Sequence, residues 1–217
     1  MPSTNFPLEH GYTRGEEIAN TLSAGAGLLL FLGVSPFLLG AALSSERPLA
    51  LASTTVFLAS IFGLYLSSTI YHALAPCPMK RVVRILDHSA IFVLIAGTYT
   101  PFALGPLAAS GGILLAIIEW TMAVLGIAFK WAGGIQYRRF SNLIYLCMGW
   151  LGIFWIRPFI ESVGWTGFFL VLAGGIAYTV GITFYAARHR SYAHFVWHLF
   201  VLAGSLCHTI AIWRYAI

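Results

Sequence analysis

Charged side chains are scarce in this sequence, because Asp, Glu, Lys and Arg together make up 9% of its 217 residues. So few charges cannot cover the surface of a soluble globule, which excludes an ordinary water-soluble domain. Cysteine is scarce as well: Cys77, Cys147 and Cys207 lack the CxxC spacing of a metal site, and we expect no disulfide. The basic residues are dispersed over several loops, so nucleic-acid binding is not expected.

Long apolar runs are what the sequence has instead. Hydrophobic residues make up 59% of the chain and its mean hydropathy is +0.84. About 20 helical residues cross the apolar core of a bilayer, and seven runs reach roughly that length. They are Asn20–Ala42, Leu49–Leu74, Ile85–Leu107, Gly111–Phe129, Asn142–Ile160, Gly167–Ala187 and Ala193–Ala216.

The runs predict an all-α, polytopic membrane protein with a bundle of seven transmembrane helices. We divide the chain into a cytoplasmic N-terminal tail that includes the start of the first helix, residues 1–19, and a single seven-helix membrane domain, residues 20–217. Short loops rich in Lys and Arg stay in the cytoplasm. A cytoplasmic N-terminus and an external C-terminus place nine of the 12 basic residues inside, and only Arg47, Arg157 and Arg214 outside.

Four polar residues fall at one depth in this topology. His72 ends the second span, Asp87 lies near the start of the third, and His194 and His198 occupy the first turns of the seventh. Polar groups inside a membrane span face the bundle interior or water, and they are typical of functional sites. We therefore expect these residues to meet near the cytoplasmic face.

The histidines have the spacing of metal ligands. His194 and His198 are four residues apart, so their rings lie on one helical face about 6 Å apart. Three imidazoles with one open position are typical of a catalytic zinc site, which activates water at neutral pH. Asp87 is the candidate base, and Ser68, one turn before His72, is a candidate positioning group. A structural zinc that joins the second and seventh spans, or histidines that only pack, remain open alternatives.

Five motifs along the chain identify a resemblance. They are EEIANTLS at Glu16–Ser23, SSTIYH at Ser67–His72, LDHSAIFVLIAGTYTPF at Leu86–Phe102, YLCMGW at Tyr145–Trp150 and AHFVWHLFVLAGSLCH at Ala193–His208. Together they resemble the bacterial hemolysin III branch of the progestin and adipoQ receptor (PAQR) family, over nearly the whole chain. The resemblance implies a multi-pass protein of the bacterial cell membrane, with seven helices and a cytoplasmic N-terminus.

The resemblance also implies a site. It assigns Zn²⁺ to His72, His194 and His198, with Asp87 and Ser68 around the water at the metal. The similarity to adiponectin receptors and alkaline ceramidases suggests hydrolysis of a lipid amide. The chain departs from the family pattern at Ala24, where a histidine usually follows Ser or Thr.

Three functions are consistent with the sequence. The first is a zinc-dependent, ceramidase-like hydrolase of a membrane lipid amide; the second is a receptor or sensor of membrane state with a structural zinc; the third is a cytolytic activity. Cytolysis ranks last, because the spans offer no ring of charged pore-lining residues. Membrane lipids are the expected partners, a lipid substrate among them, and the sequence does not define an oligomeric state.

Other polar residues receive structural interpretations. Glu17 and Asn20 are expected to cap the first helix and anchor a loop, which we prefer to a role at the zinc. His88 is left out of the site, because it projects about 100° away from Asp87 around the helix. Glu119 and His208 fall at a similar depth and are predicted to pair.

Overall fold

The structure is a computed structural model that describes residues 12–187 and 190–217, and all regular secondary structure in these ranges is helical. The main helices are α1 (Arg14–Leu43), α2 (Ala50–Ala73), α3 (Pro78–Leu104), α4 (Gly112–Trp131), α5 (Arg138–Trp150), α6 (Ile156–Ala186) and α7 (Ala193–Ala211). Most of the predicted N-terminal tail, and Arg188 of the charge count, lie outside the described residues.

Six helical stretches in the described part of the chain are long and apolar enough to cross a membrane. Large apolar side chains cover their outer faces: Leu29 is 71% exposed, Phe37 78% and Phe154 79%. Exposed apolar patches of this extent are unfavourable in water and favourable against lipid. The protein is therefore a multi-pass protein of the cell membrane, as predicted.

The fifth and sixth predicted spans fall within one helical stretch, Arg138–Ala186. It contains a short 3₁₀ segment, Leu151–Trp155, and a break at Gly164, where φ is 70° and ψ is 173°. The first residue of α5 lies beside the end of α6, because Arg138 Nη2 donates to the Tyr185 carbonyl at 3.0 Å. In the middle of the stretch, Ser162 Oγ donates to the Pro106 carbonyl at 3.1 Å, beyond the end of α3. The stretch therefore runs away from one end of the bundle and returns to it.

Helices α1 to α4 pack side by side in chain order, α6 packs along α7, and α7 contacts α1. Small residues allow close approach: Gly126 of α4 lies against the Phe92 ring of α3, and Gly181 of α6 against Trp197 of α7. The contact between α7 and α1 brings the last main helix beside the first two. The histidines lie at the end of the bundle where α2, α4 and α6 end and α1, α3, α5 and α7 begin, which we call the histidine end.

Candidate functional site

Three imidazoles meet at the histidine end. His72 comes from the last turn of α2, and His194 and His198 come from the first two turns of α7. One nitrogen from each ring lies within 4.8 Å of the others, and the Nε2 atoms of His72 and His194 are 3.2 Å apart. The rings are shielded from solvent, with His72 3% and His198 8% exposed. The three histidines could hold a metal ion.

The outer nitrogens of two of these rings have fixed partners. His72 Nδ1 lies 2.7 Å from Glu17 Oε2, and His198 Nδ1 lies 2.9 Å from Ser23 Oγ. The carboxylate can only accept, so His72 Nδ1 carries the hydrogen. The single Ser23 hydroxyl hydrogen goes to the Asn20 carbonyl at 3.0 Å, so His198 Nδ1 is the donor there too.

Both rings therefore present an unprotonated Nε2. This is the tautomer that a metal-binding histidine needs, and a carboxylate or other acceptor behind the ring commonly fixes it. The chemistry and orientation of the donors thus fit a divalent metal ion.

Of the two roles considered for Glu17, capping was preferred to a role at the zinc, and the capping interpretation is wrong. The capping box of α1 is formed by Thr13 and Glu16: Thr13 N donates to Glu16 Oε2 at 2.8 Å. Glu17 instead accepts from His72 and, at 2.8 Å, from Lys80 Nζ. Glu16 and Glu17 both lie in the first turn of α1, but their side chains leave the helix in different directions. The Glu16 side chain turns back to Thr13, and the Glu17 side chain points towards α2 and α3.

Asp87 and Ser68 lie in the wall of the cavity that also contains His194 and His198. Asp87 is 7% exposed and accepts a hydrogen bond from His88 Nδ1 at 3.1 Å. The exclusion of His88 from the surroundings of the site is therefore wrong. The angle of about 100° between successive helical residues describes only where their side chains leave the backbone. Rotation about the side-chain bonds of Asp87 and His88 brings the carboxylate and the imidazole into contact.

The cavity is elongated and mostly apolar. It is partly open to the surroundings and extends from the histidines towards the far ends of α3 and α5. Tyr185, Ile182, Tyr178, Gly175 and Val171 form one stripe of α6 along it. Ala24, which stands where the family pattern has a histidine, also lines the cavity. This shape suits a long apolar chain whose polar end lies beside the histidines.

Tyr12 and the first turn of α1 lie beside the cluster. The Tyr12 ring lies 5.4 Å from the His194 ring and 6.2 Å from the His72 ring. Burial of its hydroxyl raises the pKa of Tyr12 well above its ordinary value, which keeps the phenol protonated. Glu16 Oε1 accepts from the Tyr192 amide at 2.8 Å and so joins the start of α1 to the start of α7.

The predicted pair of Glu119 and His208 does not form. His208 Nε2 donates to the Val171 carbonyl of α6 at 3.0 Å. Glu119 is fully buried, and its two carboxylate oxygens have no hydrogen-bond partner in the described part of the chain. The two side chains therefore do not satisfy each other, because His208 faces α6.

Comparison with known proteins agrees with the motifs. Residues 12–209 match the family model described as Haemolysin-III related. The chain is 43% identical to the Hemolysin-3 homolog of Bacillus subtilis (strain 168) over 194 residues, which are 89% of this chain and 91% of the relative. It is 44% identical to Hemolysin-3 of Bacillus cereus over 194 residues, 88% of this chain and 87% of the relative. More distantly, it is 26% identical over 163 residues to the human Monocyte to macrophage differentiation factor, covering 70% and 66% of the two chains.

Proposed function

Because the chain belongs to the haemolysin-III-related family, we propose that it is a zinc-dependent hydrolase acting on an amide bond of a membrane lipid. The observation that carries the proposal is the convergence of three imidazoles, two of which line the polar end of a long apolar cavity. His72, His194 and His198 would hold the ion. When bound, zinc supplies Lewis-acid activation of water at neutral pH.

The residues of the chain have separate tasks in this proposal. The apolar stripe of α6 binds the acyl chain and places the carbonyl beside the histidines. Asp87 accepts the proton of the attacking water and returns it to the amide nitrogen as the C–N bond breaks, so that the fatty acid and the amine are released, and the hydrogen bond from His88 orients its carboxylate. Ser68 donates a hydrogen bond at the polar end of the cavity. The choice of an amide follows the family resemblance, and the cavity itself fits a carbonyl attached to a long chain.

Metal analysis of the purified protein tests the ion assignment. We expect close to one zinc per chain in the wild type, and loss of zinc in His72→Ala and in His198→Ala. His208→Gln is the matched control, because His208 is a buried histidine of α7 that bonds a carbonyl away from the cluster. Zinc retained by both alanine variants would overturn the assignment.

A second candidate is a sensor of membrane state in which a structural zinc fixes the helix ends. It is favoured by one observation: Glu17, His72 and Lys80 already link α1, α2 and α3 at the histidine end. Asp87→Asn separates the two functions. In a hydrolase this variant keeps its zinc and loses at least about 100-fold in lipid-amide hydrolysis, measured by mass spectrometry of the released fatty acid. In a sensor, wild type and variant alike release none.

The names of two relatives suggest hemolysis. We rank cytolysis below both candidates, because the charged residues described within the spans form bonds at the helix ends or are single buried groups, and do not form a ring around a pore.

We also propose that the chain crosses the membrane seven times, with the histidine end in the cytoplasm. Two features support this: the stretch Arg138–Ala186 returns to its starting end, and it contains 49 residues, about 73 Å of helix, more than twice the apolar thickness of a bilayer. Most of the basic residues also lie at the histidine end, as expected for the cytoplasmic side.

A further inference from the structure

Three hydroxyl groups from α2, α6 and α7 meet beside the apolar cavity, and we call them the hydroxyl cluster. Tyr65 Oη donates to Ser205 Oγ at 3.2 Å, and Tyr178 Oη lies 2.9 Å from the same Ser205 oxygen. Ser205 and Tyr65 are buried, and Tyr178 is half-buried. The hydroxyl cluster borders the cavity through Tyr65 and Tyr178, which both line it.

The hydroxyl cluster holds one hydrogen more than its own oxygens accept. Each hydroxyl carries one hydrogen, and Tyr65 gives its hydrogen to Ser205. If Ser205 donates to Tyr178, the Tyr178 hydrogen is left over; if Tyr178 donates to Ser205, the Ser205 hydrogen is left over. Neither hydroxyl has another acceptor in the described part of the chain. A buried donor without an acceptor is costly, so the hydroxyl cluster favours a ligand that accepts a hydrogen bond.

His208 adds an unpaired acceptor next to the hydroxyl cluster. Its ring centre lies 5.5 Å from that of Tyr178, and it lines the same cavity. A neutral imidazole has one hydrogen on nitrogen, and Nε2 uses it to donate to the Val171 carbonyl at 3.0 Å. Nδ1 therefore keeps a lone pair, and it is buried without a hydrogen-bond partner among the described residues. A spare donor and a spare acceptor thus lie side by side.

A hydroxyl group on the ligand would match both, because it accepts one hydrogen bond and donates another. A carbonyl group could accept from the hydroxyl cluster but could not donate to His208, and a methylene group could do neither. The cavity around this position is otherwise lined mainly by apolar side chains, including Ile182 and Val201, so the hydroxyl would belong to an apolar chain. A site with buried polar groups discriminates against a ligand that leaves them unpaired.

The place of the hydroxyl cluster along α7 indicates where on the chain this hydroxyl lies. Ser205 follows His198 by seven residues, about 10 Å at the helical rise of about 1.5 Å per residue. We propose that the cavity selects a lipid whose acyl chain carries a hydroxyl group near its middle, bound between Tyr178 and His208. This inference rests on the proposed function for the direction of the chain, with its polar end at the histidines.

Native mass spectrometry of the purified, delipidated protein tests the proposal with free fatty acids as probes. Three hydroxystearic acids each compete with stearic acid; their hydroxyl lies beside the carboxylate, in the middle of the chain or beside the terminal methyl. We expect the mid-chain isomer alone to be retained about tenfold over stearic acid, since two hydrogen bonds to buried groups contribute at least about that factor. Mid-chain oxostearic acid, which cannot donate, should be retained less strongly than the hydroxy acid.

One variant and one matched control connect the preference to the hydroxyl cluster. Tyr178→Phe removes a hydroxyl, keeps the ring and should abolish the preference. Tyr99 also lines the cavity, but its hydroxyl already donates to the Gly149 carbonyl at 2.8 Å and accepts from the Gly152 amide at 3.0 Å. Tyr99→Phe should therefore keep the preference.

Several outcomes would overturn the proposal. They are equal retention of stearic acid and the mid-chain hydroxy acid, the same retention of all three isomers, equal retention of the oxo and hydroxy acids, and a preference that survives in Tyr178→Phe. The comparison of isomers needs only the wild type, so it stands if a variant fails to fold. Retention is measured without turnover, so a protein that hydrolyses no amide would refute the proposed function and leave this result unchanged.

Discussion

The Glu17 carboxylate accepts a hydrogen bond from His72 Nδ1, while Nε2 of the same ring faces His194. A carboxylate hydrogen-bonded to a metal-binding histidine fixes its tautomer and makes it a better ligand, and removing such a partner costs about 10- to 100-fold in metal affinity. The Glu17 carboxylate is itself held by Lys80 at 2.8 Å, so it is positioned before any metal binds.

We expect Glu17→Gln to lower zinc affinity by about 10- to 100-fold without removing any ligand. The measurement is a chelator competition followed by metal analysis. Glu16→Gln is the control, because glutamine also functions at this position of a capping box and Glu16 bonds Thr13 and Tyr192 rather than a histidine. Equal affinity in wild type and Glu17→Gln would show that Glu17 only anchors Lys80.

The sequence indicated the meeting of the three histidines, whereas the contact of Ser23 was not predicted and a role for Glu17 at the zinc was the less favoured interpretation. Glu17, Asn20 and Ser23 follow at three-residue spacing and therefore share a face of α1. That spacing, together with the depth of His72, could have placed both side chains beside the cluster. Tautomers, by contrast, depend on distances such as that between Ser23 Oγ and His198 Nδ1, which no pattern in the sequence provides.

The contact between α6 and α7 determines where His194 and His198 lie. Gly181 of α6 faces Trp197, the residue before His198, and a Cβ atom there would lie 2.8 Å from Phe200 Cβ and from the Trp197 ring. Because Phe200 Cβ is close to the backbone, the helices themselves would have to separate.

We expect Gly181→Ala to destabilise the protein by about 1–3 kcal/mol, the usual effect of overpacking. Gly175→Ala, on the same helix with open space around its Cβ position, should change stability by no more than about 1 kcal/mol, in the stabilising direction. Thermal unfolding in detergent compares the two. A larger loss in Gly175→Ala than in Gly181→Ala would contradict this description of the interface.

Hydropathy located the six apolar helical stretches of the described residues, because length and apolar composition suffice to define a membrane span. It also placed an interruption between the fifth and sixth runs, at residues 161–166, and the break at Gly164 lies there. It did not predict that helix continues on both sides of this break, so that α6 begins at Ile156 and not at Gly167.

The path of the whole chain across the membrane can be tested with two single cysteines in a background without Cys77, Cys147 and Cys207. Glu161 and Arg139 are exposed, at the middle and at the start of the stretch Arg138–Ala186. A membrane-impermeant thiol reagent should label Glu161→Cys in intact cells and Arg139→Cys only after the membrane is opened. Labelling of both from the same side would contradict seven passes.

The sequence predicts how far along its span each polar residue of the site lies. It does not predict which side of each helix faces which neighbour. His72, His194 and His198 were expected at one depth and are brought together. Glu119 and His208 were also expected at one depth, yet His208 faces the Val171 carbonyl of α6. Which helices are neighbours, and which side each presents, is fixed by packing over the whole bundle.

His72 and His194 are 122 positions apart, and the second of them belongs to the last main helix. During synthesis His72 enters the bilayer long before α7 leaves the ribosome, so a nascent chain offers one imidazole and no chelating group. Capture of an ion by all three histidines would therefore require a chain that has been synthesised through α7.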